Sequence, residues 1–226
     1  MNQEILYIIY LMAGFLGLFA SAELLYRFWK LGAGVTRKIV HVGSGLITLL
    51  FPFYLTSHWS ALFLSASFFG LLLTSMKFNF LNSINGVDRK TWGSLFYPCA
   101  VYLSFLCYVL QENQLYFFLP MLTLALSDTV AEMLGKKLNW KPYVVFNHRK
   151  TLGGSLGFFF TTLLISLFLV NHFSTYSLTK LLFFSVIVSL TTTIAEAVSS
   201  KGIDNISVPS AALFILYLFD LNLPLS

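Results

Sequence analysis

The chain has 226 residues, of which 57% are hydrophobic and only 10% charged, and its mean hydropathy is +0.78. Soluble domains carry roughly 25% charged residues, so this composition cannot coat a surface against water, and a soluble enzyme of one or two domains is excluded. The net charge of +5 is first a matter of membrane topology rather than of nucleic-acid binding, because basic loops are what the positive-inside rule demands.

Eight apolar runs follow one another, at about 5–26, 39–55, 59–76, 92–110, 115–134, 155–170, 181–199 and 206–222. A crossing takes about 20 apolar residues. The expected fold is therefore an all-α, polytopic integral membrane protein with about eight transmembrane helices. The count falls to seven if the last run, interrupted by Pro209 and Asp220, does not cross. Residues 1–226 read as a single transmembrane domain. MNQEILYIIY has no basic stretch ahead of its apolar residues and no small-residue cleavage site, so the first helix is expected to be retained. Cys99 and Cys107 fall in one apolar run, which suits packing rather than a disulfide.

The loops alternate in charge. Arg27, Lys30, Arg37, Lys38, Lys77, Arg89, Lys90, Lys136, Lys137, Lys141, Arg149, Lys150 and Lys201 fall on one side, and Lys180 alone on the other. By the positive-inside rule the basic side is cytoplasmic; in a prokaryote the membrane would be the inner one. The basic loops also repeat. Arg89-Lys90-Thr91-Trp92-Gly93-Ser94-Leu95 resembles Arg149-Lys150-Thr151-Leu152-Gly153-Gly154-Ser155-Leu156, and Thr129-Val130-Ala131-Glu132 resembles Thr193-Ile194-Ala195-Glu196. Such offsets suggest a parallel repeat of a two-helix unit; chance similarity in low-diversity sequence is the alternative.

Ionisable residues inside apolar runs are costly, about 2.5–3.5 kcal/mol on insertion scales, and usually face a site or a partner. Asp128 lies about 9 Å from the basic end of the fifth run at 1.5 Å per residue. Glu132 follows at i+4 on the same helical face. Two such carboxylates can hold Mg²⁺, which takes one or two carboxylates plus substrate phosphates; ion pairs to Lys or Arg on neighbouring helices are the alternative. Arg149, Lys150 and Thr151 lead into Gly153, Gly154 and Ser155 at a helix start. There, fixed positive charge and free N–H groups favour phosphate. Glu196, Asp204 and Asn205 form a third cluster that can supply a metal ligand or a general base, with helix capping the alternative for Asp204 and Asn205. Arg37 and His41 stand at i and i+4, with Lys38 beside them. Glu23 is explained at least as well by a pair with Arg27.

Taken in order, R-K-x-x-H (Arg37, Lys38, His41), D-x-x-A-E-x-x-G (Asp128 to Gly135), R-K-T-x-x-G-S (Arg149 to Ser155) and E…D-N-x-x-x-P (Glu196, Asp204, Asn205, Pro209) are similar to the CTP-dependent polyprenol kinase family, whose members phosphorylate phytol, dolichol or diacylglycerol. The resemblance covers residues 35–210, leaving the first helix, 1–34, outside it. It implies transfer of the γ-phosphate of CTP, with a divalent metal such as Mg²⁺, to the hydroxyl of an isoprenoid alcohol or of diacylglycerol at the cytoplasmic face. It places the nucleotide at Asp128, Glu132, Lys136, Arg149, Lys150, Thr151 and Gly154, and the general base at Glu196 or Asp204. The candidate catalytic set is thus Asp128, Lys150, Glu196 and Asp204. The candidate metal set is Asp128, Glu132 and Asp204, and Arg37, Lys38, His41, Lys136, Gly153, Ser155 and Asn205 complete the nucleotide site.

The pattern D-x-x-A…K-T-x-x-G also resembles phosphatidate cytidylyltransferase. The longer H-G-G-x-x-D-R ending of that enzyme is missing, since Ser155-Leu156-Gly157 follows the Gly pair and the stretch at 204 reads Asp-Asn-Ile-Ser. A transporter would place polar groups near the midplane and on both sides, whereas here the outer half of nearly every run is bare of charge. A one-sided interfacial enzyme is the expectation.

Overall fold

The computed structural model describes residues 3–86, 91–146 and 148–222, with side chains to residue 220. Arg89 and Lys90 of the sequence repeat lie outside the described residues. In chain order the elements are α1 (Gln3–Arg27), α2 (Ala33–Thr48), a short α3 (Phe51–Tyr54), α4 (His58–Phe78), a short α5 (Asn82–Asn85), α6 (Gly93–Gln111), α7 (Leu115–Leu122) and a π-helical turn (Thr123–Ser127). There follow α8 (Asp128–Leu138), a hairpin of β1 (Pro142–Val145) and β2 (His148–Thr151), α9 (Leu152–Phe173), α10 (Leu178–Val198) and α11 (Asp204–Asn222). The antiparallel hairpin, with Tyr143 opposite Lys150, is not legible as apolar periodicity and holds the only two strands among the described residues.

Among the described residues, six helical stretches are long and apolar enough to cross a membrane: α1, α4, α6, Leu115–Leu138, α9 and α10. The expected count of eight is not met by this measure. The run at 39–55 divides, because its main helix, α2, has 16 residues and spans only about 24 Å of a hydrocarbon core about 30 Å thick. The last run forms α11, which carries Asp204 and Asp220. Helix ends are set locally. Ser57, Thr151 and Ser177 cap α4, α9 and α10 by accepting the N–H of Trp59, Gly154 and Lys180. Asn79 and Asn139, in left-handed conformations, close α4 and α8.

The helices pack with α1 on α2, α4 on α6, α6 on α7 and α11, and α9 between α8 and α10. The core is aromatic at its centre, where Phe117 stacks with Phe51 at 6.3 Å and meets the edge of Phe105 at 5.6 Å. Elsewhere small hydroxyl residues let helices approach. Thr162 donates to Ser127 at 2.9 Å and Ser166 to Ser185 at 3.0 Å, all four buried. Large apolar side chains such as Leu164, Phe168 and Ile194 point outward, as they must where the surroundings are lipid. Cys99 and Cys107 are free thiols.

The repeat is visible as geometry. Thr91 accepts the N–H of Gly93 at 3.2 Å, as Thr151 accepts that of Gly154 at 3.1 Å. The next residues match as well: Trp92 N donates to the Lys201 carbonyl and Leu152 N to the Lys141 carbonyl, at 2.9 and 3.1 Å. The starts of α6 and α9 are thus tied in the same way to turns that follow α10 and α8, at one end of the bundle.

Close approach of α8 and α9 depends on Gly154, where a Cβ would stand 2.9 Å from the Ala131 carbonyl oxygen and 3.1 Å from the Thr151 hydroxyl. Backbone cannot swing aside as a side-chain tip can. Gly154→Ala is expected to cost about 1–3 kcal/mol through overpacking, read as a lower melting temperature in detergent. Gly17→Ala on α1, where nothing lies within 4 Å, should be neutral or stabilising; equal melting temperatures for the two variants would refute this account of the contact.

Candidate active site

At the basic end the starts of α2, α9 and α11, the ends of α8 and α10, the hairpin and the segment before α6 enclose a cavity of about 740 Å³. Six cationic side chains line it: Arg37, Lys38, Lys136, Arg149, Lys150 and Lys201. Four carboxylates line it too: Asp128, Glu132, Glu196 and Asp204. His41, Thr151, Gly154, Ser155 and Asn205 complete the set expected from sequence. Gly153 is the exception. It is buried beside Leu138 and Trp140, so it serves helix packing and does not reach the cavity.

Local structure positions each group. In α8 the residues Asp128, Glu132 and Lys136 are four apart and form one stripe. Glu132 pairs with Lys136 along that stripe and with Lys38 of α2 at 3.4 Å. Glu132 thus makes the interhelical ion pair that was the alternative to metal binding. Asp128 lies ten residues before the end of α8, about 15 Å along the axis, deeper than expected because the helix continues past the apolar run to Leu138. The π-helical turn immediately before it was not foreseen. Pro120, three residues upstream of that turn, disturbs the helical ladder, and π-helical turns recur at functional sites. The turn also presents the Leu124 carbonyl, which accepts from His41 Nε2 at 3.2 Å. A carbonyl only accepts, so this contact puts the proton on Nε2, which stands 3.9 Å from the Asp128 carboxylate.

The hairpin carries the next group of cations. Lys150 reaches back to α10, pairing with the Glu196 carboxylate and donating to its carbonyl at 3.1 Å. Arg149 donates to Asn139 Oδ1 at 3.2 Å. The start of α9 departs from expectation. Its first three N–H groups are already bonded, Leu152 to the Lys141 carbonyl, Gly153 to the Trp140 carbonyl and Gly154 to the Thr151 hydroxyl. An anion here would meet side chains rather than free backbone donors. Asn205 has a structural bond as well, donating from Nδ2 to the Gly93 carbonyl at 2.7 Å. Glu23 lies outside the cavity and pairs with Arg27 at 2.7 Å.

Sequence reasoning missed Thr91, Asn139, His148, Ser199, Ser200, Lys201 and Gly202 as lining residues. Thr91 had a signal, its match to Thr151. Lys201-Gly202 is a turn with φ of 52° and 89°, where glycine admits a conformation that other residues rarely adopt.

Among the described residues no three His, Cys, Asp or Glu side chains stand close enough to hold a metal by themselves. Nor does any Lys or Arg ion pair involve Asp128 or Asp204. Two hard oxygen donors without a cationic partner, in a cavity lined by cations, fit an ion such as Mg²⁺ that completes its shell with phosphate oxygens and water. A polyanion of several phosphates suits the remaining charge.

The chain is similar to phytol kinase of Synechocystis sp., at 28% identity over 201 residues, which are 87% of this chain and 84% of that protein. No family model matches the chain, and no solved structure matches it. The similarity supports assignment to the polyprenol and phytol kinase family.

Proposed function

We propose that this protein is a lipid-alcohol kinase that transfers the γ-phosphate of CTP to the hydroxyl of an isoprenoid alcohol or diacylglycerol at the cytoplasmic face of the membrane. The observation that carries this reading is the cavity at one end of apolar helices, lined by six Lys and Arg side chains and four carboxylates, two of which, Asp128 and Asp204, make no Lys or Arg ion pair among the described residues. Phosphoryl transfer asks for positioning and charge neutralisation more than for covalent chemistry. Lys38, Lys136, Arg149 and Lys150 bind the phosphates, and Glu132 and Glu196 hold the lysines in place until the nucleotide arrives. Asp128 would hold Mg²⁺ together with phosphate oxygens, and the ion would neutralise charge developing on the transferred group. The alcohol oxygen bonds to the γ-phosphorus as the bond to the β-phosphate oxygen breaks. Asp204 takes the hydroxyl proton, leaving a lipid monophosphate and CDP.

The test is label transfer by purified protein with Mg²⁺ and a panel of lipid alcohols and phosphatidate, comparing γ-labelled CTP, α-labelled CTP and γ-labelled ATP. Label reaching an alcohol from the γ-position of CTP alone is the expected result. Label from the α-position alone would mean cytidylyl transfer, and label from no donor would return the chain to the transporter class; either removes the kinase reading.

A further inference from the structure

A second, apolar cavity of about 70 Å³ lies beside the charged one, between α1, α2, α4 and α6. Phe15 and Phe19 of α1 and Phe68 of α4 give it an aromatic wall, while Ser44 and Thr48 continue the face of α2 that carries Arg37 and His41. Arg37, His41 and Asn205 line both cavities, so the slot meets the charged chamber at these three residues. Ser65 lines it from α4. Its hydroxyl is buried, with the residue only 7% exposed, and has no hydrogen-bond partner among the described residues. A buried hydroxyl without a partner costs stability. Leucine there would fill the space and remove that cost, so the small residue serves something other than packing.

We infer that this slot holds the hydrocarbon chain next to the acceptor's hydroxyl and gauges it to a single chain. The inference rests on the kinase reading and deepens it. The volume is roughly half of the ~150 Å³ that accommodates a benzene molecule, room for a few methylenes of one chain and not for two chains abreast. With the chain between the phenylalanines, the hydroxyl emerges at Arg37, His41 and Asn205 and faces the phosphates. Single-chain prenyl-type alcohols fit this arrangement; diacylglycerol, with two acyl chains leaving one glycerol, does not. Ser65 and Phe68 are the specificity-determining residues.

The experiment compares wild type, Ser65→Leu and Phe68→Ala with a prenyl-type alcohol and with diacylglycerol. It records kcat and KM for each acceptor, KM for CTP and the melting temperature, and crosslinks a photoreactive single-chain alcohol to the protein. Wild type should favour the single-chain acceptor at least tenfold in kcat/KM. Ser65→Leu should raise KM for that acceptor at least tenfold, with KM for CTP held and the melting temperature unchanged or higher. Phe68→Ala should narrow the preference, and the crosslinks should fall on α4 and α6 at the slot. Wild-type preference for diacylglycerol, unchanged acceptor kinetics in both variants, or crosslinks elsewhere would overturn the proposal. Crosslinking at the slot without γ-phosphate transfer to any alcohol would uphold the slot as a chain site and sink the kinase reading instead. Should Ser65→Leu fail to fold, Phe68→Ala and the crosslinks decide.

Discussion

Asp128→Asn should lower the rate of γ-phosphate transfer at least about 100-fold, the scale on which a single preorganised electrostatic contact acts in a transition state, while leaving the protein folded. The argument combines its position and its lack of a cationic partner. Asp128 lines the cavity and makes no ion pair to Lys or Arg, so removing its charge strands no cation. Three other carboxylates, Glu132, Glu196 and Asp204, line the same cavity, so the neutral amide should leave the melting temperature unchanged or slightly higher. Glu132→Gln provides the contrast. That carboxylate is held between Lys38 and Lys136 and serves to place them, so its loss should cost only about tenfold and should appear mainly in KM for CTP, a loss of ground-state binding. The measurement is steady-state transfer of γ-label with a melting curve for each variant. Full activity in Asp128→Asn, or equal losses in the two variants, would remove Asp128 from the metal site.

Why the sequence disclosed so much of this site, and where it misled, follows from the physics of each signal. Charge in an apolar run is costly, so Asp128, Glu132 and Glu196 stood out against their surroundings without any knowledge of the fold. Adjacent cations at Arg37-Lys38 and Arg149-Lys150 stood out in the same way, and all of these converge on one cavity. Spacing alone does not reveal which neighbours an ion meets across helices. The pairing of Lys38 with Glu132, and of Lys150 with Glu196, is long-range and became visible only with the helices in place. The Gly153-Gly154 pair illustrates an ambiguity, since Gly154 lines the cavity and Gly153 does not. Glycine next to cations reads as a phosphate loop, yet the backbone donors there are bonded internally and a Cβ at either position would touch a neighbouring side chain or backbone atom. Small residues at a helix start satisfy helix packing and ligand approach equally well, and composition does not separate the two. The count of crossings was left unconfirmed for a related reason. Hydropathy registers apolar content, whereas α2 stops at Thr48 and the chain restarts in α3 at Phe51, a break that an apolar run conceals.

Lys150→Met should destabilise the protein by about 3–5 kcal/mol, whereas Lys150→Met combined with Glu196→Gln should recover most of that loss without recovering activity. The side chains of Lys150 and Glu196 are only 20% and 7% exposed, and removing one partner of a buried pair leaves the other charge uncompensated. At about 2–4 °C per kcal/mol for a chain of this size, the single variant should melt roughly 10 °C lower. Neutralising Glu196 removes the stranded charge, so the double variant should melt close to wild type. Catalysis follows a different logic. Lys150 stands on the hairpin at the cavity wall, and under the proposed mechanism its ammonium would exchange the Glu196 carboxylate for a phosphate on nucleotide binding. The double variant has nothing to make that exchange, so adding CTP with Mg²⁺ should raise the melting temperature of wild type by clearly more than that of the double variant. Glu196→Gln alone completes the cycle. If Glu196 only positions Lys150, kcat should fall less than tenfold and the change should lie in KM for CTP; if Glu196 is the general base, kcat itself should collapse with nucleotide binding intact. A double variant that regains transfer along with stability would show that the buried pair holds the hairpin against α10 and has no part in binding phosphate.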